Sequence, residues 1–264
     1  MSQKITDKKN QLMTDYINYL TEWIREKVKE ANCVGVIVGV SGGVDSALVS
    51  RLGQLAFPEN HLTVIMPCDS VAEDKKLALE LIEHFKMNYQ IIDITKIYRA
   101  FLKNIKVQKV AEELSQLNIK PRLRMTTLYA LAQDKKYLVL GTDNLDELYI
   151  GYFTKHGDGA SDIAPIANLL KNQVFLLARH LQVPHSILIR QPTAGLYKGQ
   201  TDESELGFSY DQLDNYLQKK PVGRIISKKI RTLHKQSNHK RNPLSKPDQF
   251  LFDKKFARLK NEEQ

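Results

Sequence analysis

Cysteine, long apolar runs and, over one stretch, acidic residues are scarce in this chain, and each scarcity excludes something. The 264 residues include two cysteines, Cys33 and Cys68. They form neither a Cys-x-x-Cys pair nor a disulfide framework, so they read as two reduced thiols with no redox role. No apolar run approaches the roughly 18 residues needed to cross a bilayer. The most apolar stretch, 34–40, is strand-sized, so a membrane span is excluded. Residues 1–10 are polar and lack the apolar core and small-residue cleavage site of a secretory signal, so a cytoplasmic location is expected. Gly-Lys-Ser and Gly-Lys-Thr occur nowhere, which rules out a Walker A loop.

The acid-free stretch is 219–241. It carries nine Lys or Arg and no Asp or Glu, which accounts for the whole formal net charge of +9; the rest of the chain balances at 30 basic and 30 acidic residues. A basic segment can bind nucleic acid or phosphorylated ligands. However, Val222, Ile225, Ile226, Ile230 and Leu233 recur at near-helical spacing, which favours a helix with an inward apolar stripe and a solvated basic face. No nucleic-acid partner is expected.

What is present is globular. Hydrophobic residues at 42% and charged residues at 26% argue against extended disorder, and the length suits one large α/β domain. Leu12, Ile17, Leu20, Ile24 and Val28 predict an amphipathic helix over 10–31. Strands are expected at 34–40, 62–66, 90–94 and 137–140. Helices are expected at 47–57, from a Ser70-x-x-Glu73 capping box to 87, and at 96–116 and 122–135. This alternation predicts a doubly wound, mainly parallel sheet flanked by helices. Residues 142–168 and 192–206 read as long polar loops, which are usually functional. Between them a helix at 169–182 and a short strand at 187–189 are expected. Ser209-x-x-Gln212 predicts a helix to 218, and Pro243 and Pro247 predict an extended tail from 237. The expected organisation is one domain: an N-terminal helix (10–31), a nucleotide-binding core (33–207) and a helical C-terminal part (208–264).

The first strand runs into Gly39-Val40-Ser41-Gly42-Gly43-Val44-Asp45-Ser46 and then a helix. Adjacent glycines allow close backbone approach, and successive N–H groups with a helix N-terminus cradle an anion. Ser41 and Ser46 offer hydroxyls to phosphate. Asp45 would repel phosphate unless a divalent cation such as Mg²⁺ lay between them.

Ser-Gly-Gly-x-Asp-Ser resembles the pyrophosphate loop of N-type ATP pyrophosphatases, the adenine nucleotide alpha-hydrolase-like fold. Three further blocks narrow the resemblance: 141–159, containing Gly-Tyr-Phe-Thr-Lys-His-Gly-Asp-Gly; 191–207; and His239-Lys-Arg-Asn-Pro243. Together they are similar to ammonia-dependent NAD synthetases over about 12–250. The resemblance implies that ATP adenylates the nicotinate carboxylate of deamido-NAD, releasing pyrophosphate, and that ammonia then displaces AMP. It implies that Gly39–Ser46, Thr142, Lys171 and Thr193 contact ATP, and that Asp45 and Glu147 hold Mg²⁺. It further assigns Arg122, Lys155, Asp162, His239 and Lys240 to deamido-NAD. Lys171 is expected to neutralise phosphate charge, and Asp158 to bind and deprotonate ammonium. A homodimer is implied, with loops 195–208 and 237–250 as lids, and the length leaves no room for a glutaminase domain.

Two positions depart from the family pattern. Pro121 precedes Arg122 where relatives have Ala, and Tyr197 stands where many have Trp. Two rival readings use the same loop: an RNA-modifying thiolase or lysidine enzyme, and a non-catalytic nucleotide-binding module. The missing Cys-x-x-Cys weakens the thiolase reading. The Asp45–Glu147 pair weakens the module, because binding alone needs less.

Overall fold

The computed structural model describes residues 2–105, 112–193, 201–247 and 256–258. Four strands, β1 (Gly35–Gly39), β2 (His61–Ile65), β3 (Tyr89–Ile91) and β4 (Tyr137–Val139), form one parallel sheet in the order β3-β2-β1-β4. Val38 pairs with Thr63 on one side of β1, and Ile37 with Val139 on the other. The expected doubly wound architecture is therefore present.

Both sheet faces are covered, which explains why β1 reads as a continuous apolar run. Val36 and Val38 point into one core with helices α1 (Ser2–Glu30), α2 (Val44–Ala56), α3 (Ala72–Phe85) and α8 (Lys171–His180). Ile37, Leu62, Val64 and Val139 point into the other, under α4 (Thr95–Asn104) and α6 (Ile119–Lys135), which follows the short α5 (Glu112–Leu117). Each fully buried Leu or Ile in these cores contributes about 1.5–3 kcal/mol. A third, smaller core joins α7 (Leu145–Ile150), α10 (Asp202–Leu206), α11 (Tyr210–Leu217) and α12 (Arg224–Gln236) around Ile150, Leu213 and Ile230.

The chain leaves β1 towards β2 and later returns to β4 on the opposite side. The crevice outside the carboxyl ends of β1 and β4 is thus the topological switch point, where such sheets bind ligands.

Several expectations need correction. The first helix starts at Ser2 rather than 10, and Leu12 is 68% exposed instead of inward. Ser70 is not a cap: α3 starts after Val71, while the Ser70 hydroxyl accepts from the Cys68 N–H and from Arg124. Residues 187–189 do not form a strand. They lie in a helical turn, α9 (His185–Leu188), because Pro184 and the α8 end set a turn that short apolar runs do not reveal. The loops expected at 142–168 and 192–206 hold the short helices α7 and α10, too brief for periodicity to show. The tail begins with one further helical turn, α13 (Asn238–Arg241). Pro121 is the third residue of α6 rather than the first, still inside the turn where no N–H partner is required. Ile225 is 85% exposed, whereas Ile226 and Leu233 pack inward. Part of the expected 96–116 helix (106–111), part of the 191–207 block with Tyr197 (194–200), and the end of the tail lie outside the described residues.

Candidate active site

The loop after β1 is built around a backbone conformation that a side chain would block. Gly42 has φ of +81°, and a Cβ there would lie 2.7 Å from the Asp74 carbonyl oxygen. This turn brings Ser41 Oγ within 3.1 Å of Ser46 Oγ. The Ser41 N–H donates to Ser46 Oγ at 3.2 Å, and the Gly43 N–H to Ser41 Oγ at 3.3 Å. α2 starts after Gly43 with no side-chain cap, which leaves its first-turn N–H groups and positive end for an anion. The Val40 and Val44 side chains belong to the core, so these two offer backbone only.

Three charged groups converge beside this loop. Lys171 Nζ lies 2.6 Å from Asp45 Oδ2 and 3.1 Å from Glu147 Oε1. Asp45 sits on α2, Glu147 on α7 after β4, and Lys171 opens α8, so the three meet at the switch point. Asn144 ties the carboxylates together. Its Nδ2 donates to Asp45 Oδ1 at 2.8 Å, its N–H to Glu147 Oε2 at 3.1 Å, and its Oδ1 accepts from the Glu147 N–H, capping α7. The Tyr210 hydroxyl reaches Glu147 Oε1 at 3.4 Å and Asp202 Oδ2 at 2.9 Å, and its ring lies under Lys171 Nζ.

Burial pushes the Glu147 carboxyl up to about 7, opposed by Lys171 and reinforced by Asp45. Burial works against the Lys171 charge, but Asp45 and Glu147 outweigh it and hold the ammonium above the ordinary lysine range. Burial, then Asp158, Glu147 and Asp45, raises Asp143 well above the carboxylate range. Acidic groups thus outnumber the single lysine at this point. Two carboxylates already sharing one cation are the hard-oxygen donor set that suits Mg²⁺ together with phosphate oxygens.

The other half of the cleft is positioned by a second glycine. Gly151 ends α7 with φ of +70°, and a Cβ there would sit 2.1 Å from Ser237 Cβ. This close approach brings the end of α12 and α13 against α7. Lys240 Nζ then donates to the carbonyls of Gly151 and Phe153 at 2.7 and 2.6 Å, and burial lowers its pKa. Lys155 Nζ donates to the His239 carbonyl at 2.7 Å, and Arg122 Nε to the Lys155 carbonyl at 3.3 Å. Asp158 accepts from the Thr154 N–H at 3.0 Å, and its pKa is raised by burial.

The glycine loop other than Gly42, the Asp45, Glu147 and Lys171 cluster, Asp143, Asp158, Arg122, Lys155, His239 and Lys240 line one cleft of about 610 Å³, with Thr142 and Thr193 on its wall. Asp162 does not line it. Its Oδ2 accepts from the Val139 N–H at 2.8 Å and its Oδ1 from the Tyr129 hydroxyl at 3.2 Å, so it pins the loop beyond α7 to β4.

Sequence reasoning missed several residues in or behind the cleft. Asn144 was legible as the start of an Asn-x-x-Glu capping box. Tyr210, Asp202 and the buried Arg124 carry no local signal, because distant elements bring them in. The same holds for Arg190, whose guanidinium pairs with Asp74 beside Gly42.

The NAD synthase family model matches residues 16–244. The NH₃-dependent NAD⁺ synthetase of Mycoplasmopsis pulmonis is 49% identical over 245 residues, covering 89% of this chain and 91% of that protein. NMN synthetase from Francisella tularensis superposes with a TM-score of 0.85 at 39% identity, over 89% of this chain and 98% of the other. NH₃-dependent NAD synthetase from Campylobacter jejuni does so with a TM-score of 0.75 at 28% identity, over 89% and 99%. A switch-point cleft, a glycine loop at its floor and a matching family model over most of the length have one meaning: the chain belongs to the NAD synthase family.

Proposed function

We propose that this chain makes NAD by ATP-dependent amidation of deamido-NAD with ammonia, and that the cleft at the β1–β4 switch point is where both steps occur. The observation that carries the reading is the convergence of Asp45 and Glu147 on the Lys171 ammonium beside the glycine loop.

A carboxylate resists ammonia because its carbonyl carbon is already electron-rich. In the first step a nicotinate oxygen attacks the α-phosphorus of ATP, and the α–β bridging bond breaks to release pyrophosphate. The Gly39–Ser46 cradle, Thr142 and Thr193 hold ATP in line for this attack. Lys171 neutralises charge that builds on the phosphates. Asp45 and Glu147 would hold Mg²⁺, which when bound supplies further charge stabilisation on the departing pyrophosphate. Arg122, Lys155, His239 and Lys240 bind the dinucleotide. Asp162 is a candidate only for whatever part of it extends beyond the cleft.

In the second step the nitrogen lone pair attacks the activated carbonyl carbon, and the bond to AMP breaks. Ammonium has no lone pair until a proton leaves it, and Asp158 is the base assigned to take that proton. If amide formation and the ammonium KM were unchanged in Asp158→Asn, that assignment would fail. The homodimer and the cytoplasmic location belong to the same reading.

The test is NAD formation from deamido-NAD, ATP, Mg²⁺ and ammonium, with Asp45→Ala as control. Pyrophosphate release should depend on deamido-NAD and not on tRNA. The likeness to NMN synthetase favours one second reading, amidation of nicotinate mononucleotide. Running both substrates side by side decides between them by kcat/KM.

A further inference from the structure

Behind the charged cluster lies a second pair of acids that no step above uses. Asp146 is 0% exposed and Asp214 is 2% exposed. Asp146 Oδ2 accepts the Lys171 N–H at 2.8 Å, and Asp214 Oδ2 accepts the Asn172 N–H at 3.1 Å. Their remaining oxygens, Oδ1 on both residues, are buried and have no donor among the described residues. Burying acceptors without a donor is costly, so both carboxyls are held here chiefly by the α8 N–H groups they accept.

The arrangement also joins three elements. Asp146 lies on α7 beside Glu147, Asp214 lies on α11 after Tyr210, and both carboxyls receive the first N–H groups of α8, which begins at Lys171. Two of these elements also contact Lys171 Nζ, Glu147 from α7 and the Tyr210 ring from α11, beside Asp45 from α2. A lysine on a free helix start would wander within its turn. Two buried acceptors on its first two backbone N–H groups remove that freedom.

We propose that Asp146 and Asp214 together cap the start of α8 and so position Lys171 and Glu147 for the adenylation step. The proposal rests on the reading of this cleft as the site of adenylation. Asp146 and Asp214 touch no substrate in it; they are positioning residues that act through the start of α8 and through α7 and α11.

The test measures deamido-NAD-dependent exchange of pyrophosphate into ATP, with circular dichroism as a check on folding. In Asp214→Ala, kcat should fall by roughly 30-fold or more while the KM values for ATP and deamido-NAD stay within about threefold. Asp214→Asn should recover to within roughly threefold of wild type, because its amide oxygen can still accept from the Asn172 N–H. Adding Asp214→Ala to Lys171→Ala should cost less than about threefold further, as expected when one residue acts through another. If Asp214→Ala does not fold, Asp146→Ala takes its place, with Asp146→Asn as the rescue.

A folded Ala variant with normal kcat and only a lower melting temperature would overturn the positioning role. An Asn variant as slow as Ala would overturn the capping of α8. If the wild-type chain showed no exchange, the adenylation reading would fall and this role with it. Exchange by wild type with unimpaired Ala variants would sink the role alone.

Discussion

Lys171 and Lys228 are the same residue type in opposite surroundings. Lys171 is 3% exposed and holds two carboxylates within 3.1 Å. Lys228 stands exposed on α12 with Arg224, Arg231 and Lys235, opposite the inward stripe of Ile226, Ile230 and Leu233. None of these four outward cations makes an ion pair among the described residues. The contrast follows from solvation. Taking a charge out of water costs several kcal/mol, so a buried cation persists only where partners compensate it. A cation in water needs no partner and changes stability little. The +9 net charge therefore says less about function than one lysine that is nearly hidden.

Substitutions should break or sharpen this contrast. The largest effect is expected for Lys171→Met, which leaves Asp45 and Glu147 without their shared cation. Pyrophosphate exchange should fall about 10³-fold, and urea unfolding should show a loss of about 3 kcal/mol. A variant with near-normal exchange would erase the distinction between the two lysines. Gly42→Ala comes next. Its backbone is left-handed and its new methyl would meet the Asp74 carbonyl, so a loss of about 2 kcal/mol and roughly tenfold weaker ATP binding are expected. Isothermal titration with ATP measures the second quantity.

A smaller effect separates buried from exposed charge through pH. Burial, then repulsion from Asp214, pushes Asp146 up to about 8. The folded state therefore keeps a proton that the unfolded chain releases above the ordinary carboxylate range. That contribution is complete at low pH and is lost as pH rises through about 8. Glu147, pushed up to about 7, works in the same direction. With EDTA present, the urea-derived stability should fall by roughly 2 kcal/mol between about pH 5.5 and 8.5, and by less in Asp146→Asn. A rise over that window in the wild type would contradict the assignment. The smallest effect is expected for Arg224→Gln, Lys228→Gln and Arg231→Gln combined: exchange within about twofold and a melting temperature within about 2 °C of wild type.

The contrast also marks how far pattern reading reached. The alternation of β1 to β4 with helices was legible because burial on both sheet faces forces apolar runs bounded by turns. The inward stripe of α12 was legible from helical spacing, except for Ile225, which lies on the edge of that stripe. Short elements were not. Neither the single turn of α9 nor the five residues of α10 spans enough periods to be distinguished from loop. Ser70 had the composition of a cap, but Arg124 and the Cys68 N–H claimed its hydroxyl.

The candidate site divides in the same way. Local sequence alone determined the glycine loop, since a strand, two adjacent glycines and a helix start within a few residues leave one way to present backbone N–H groups to an anion. It also determined which residue types would serve phosphate chemistry. Only the tertiary structure decided that Lys171, 126 residues from Asp45, closes the gap between that loop and Glu147. It alone placed Tyr210 against them, seated α8 on Asp146 and Asp214, and kept Asp162 out of the cleft. The physical reason is range. Backbone conformation answers to neighbours a few residues away, whereas desolvation and charge pairing answer to whatever the packed helices bring within a few ångströms.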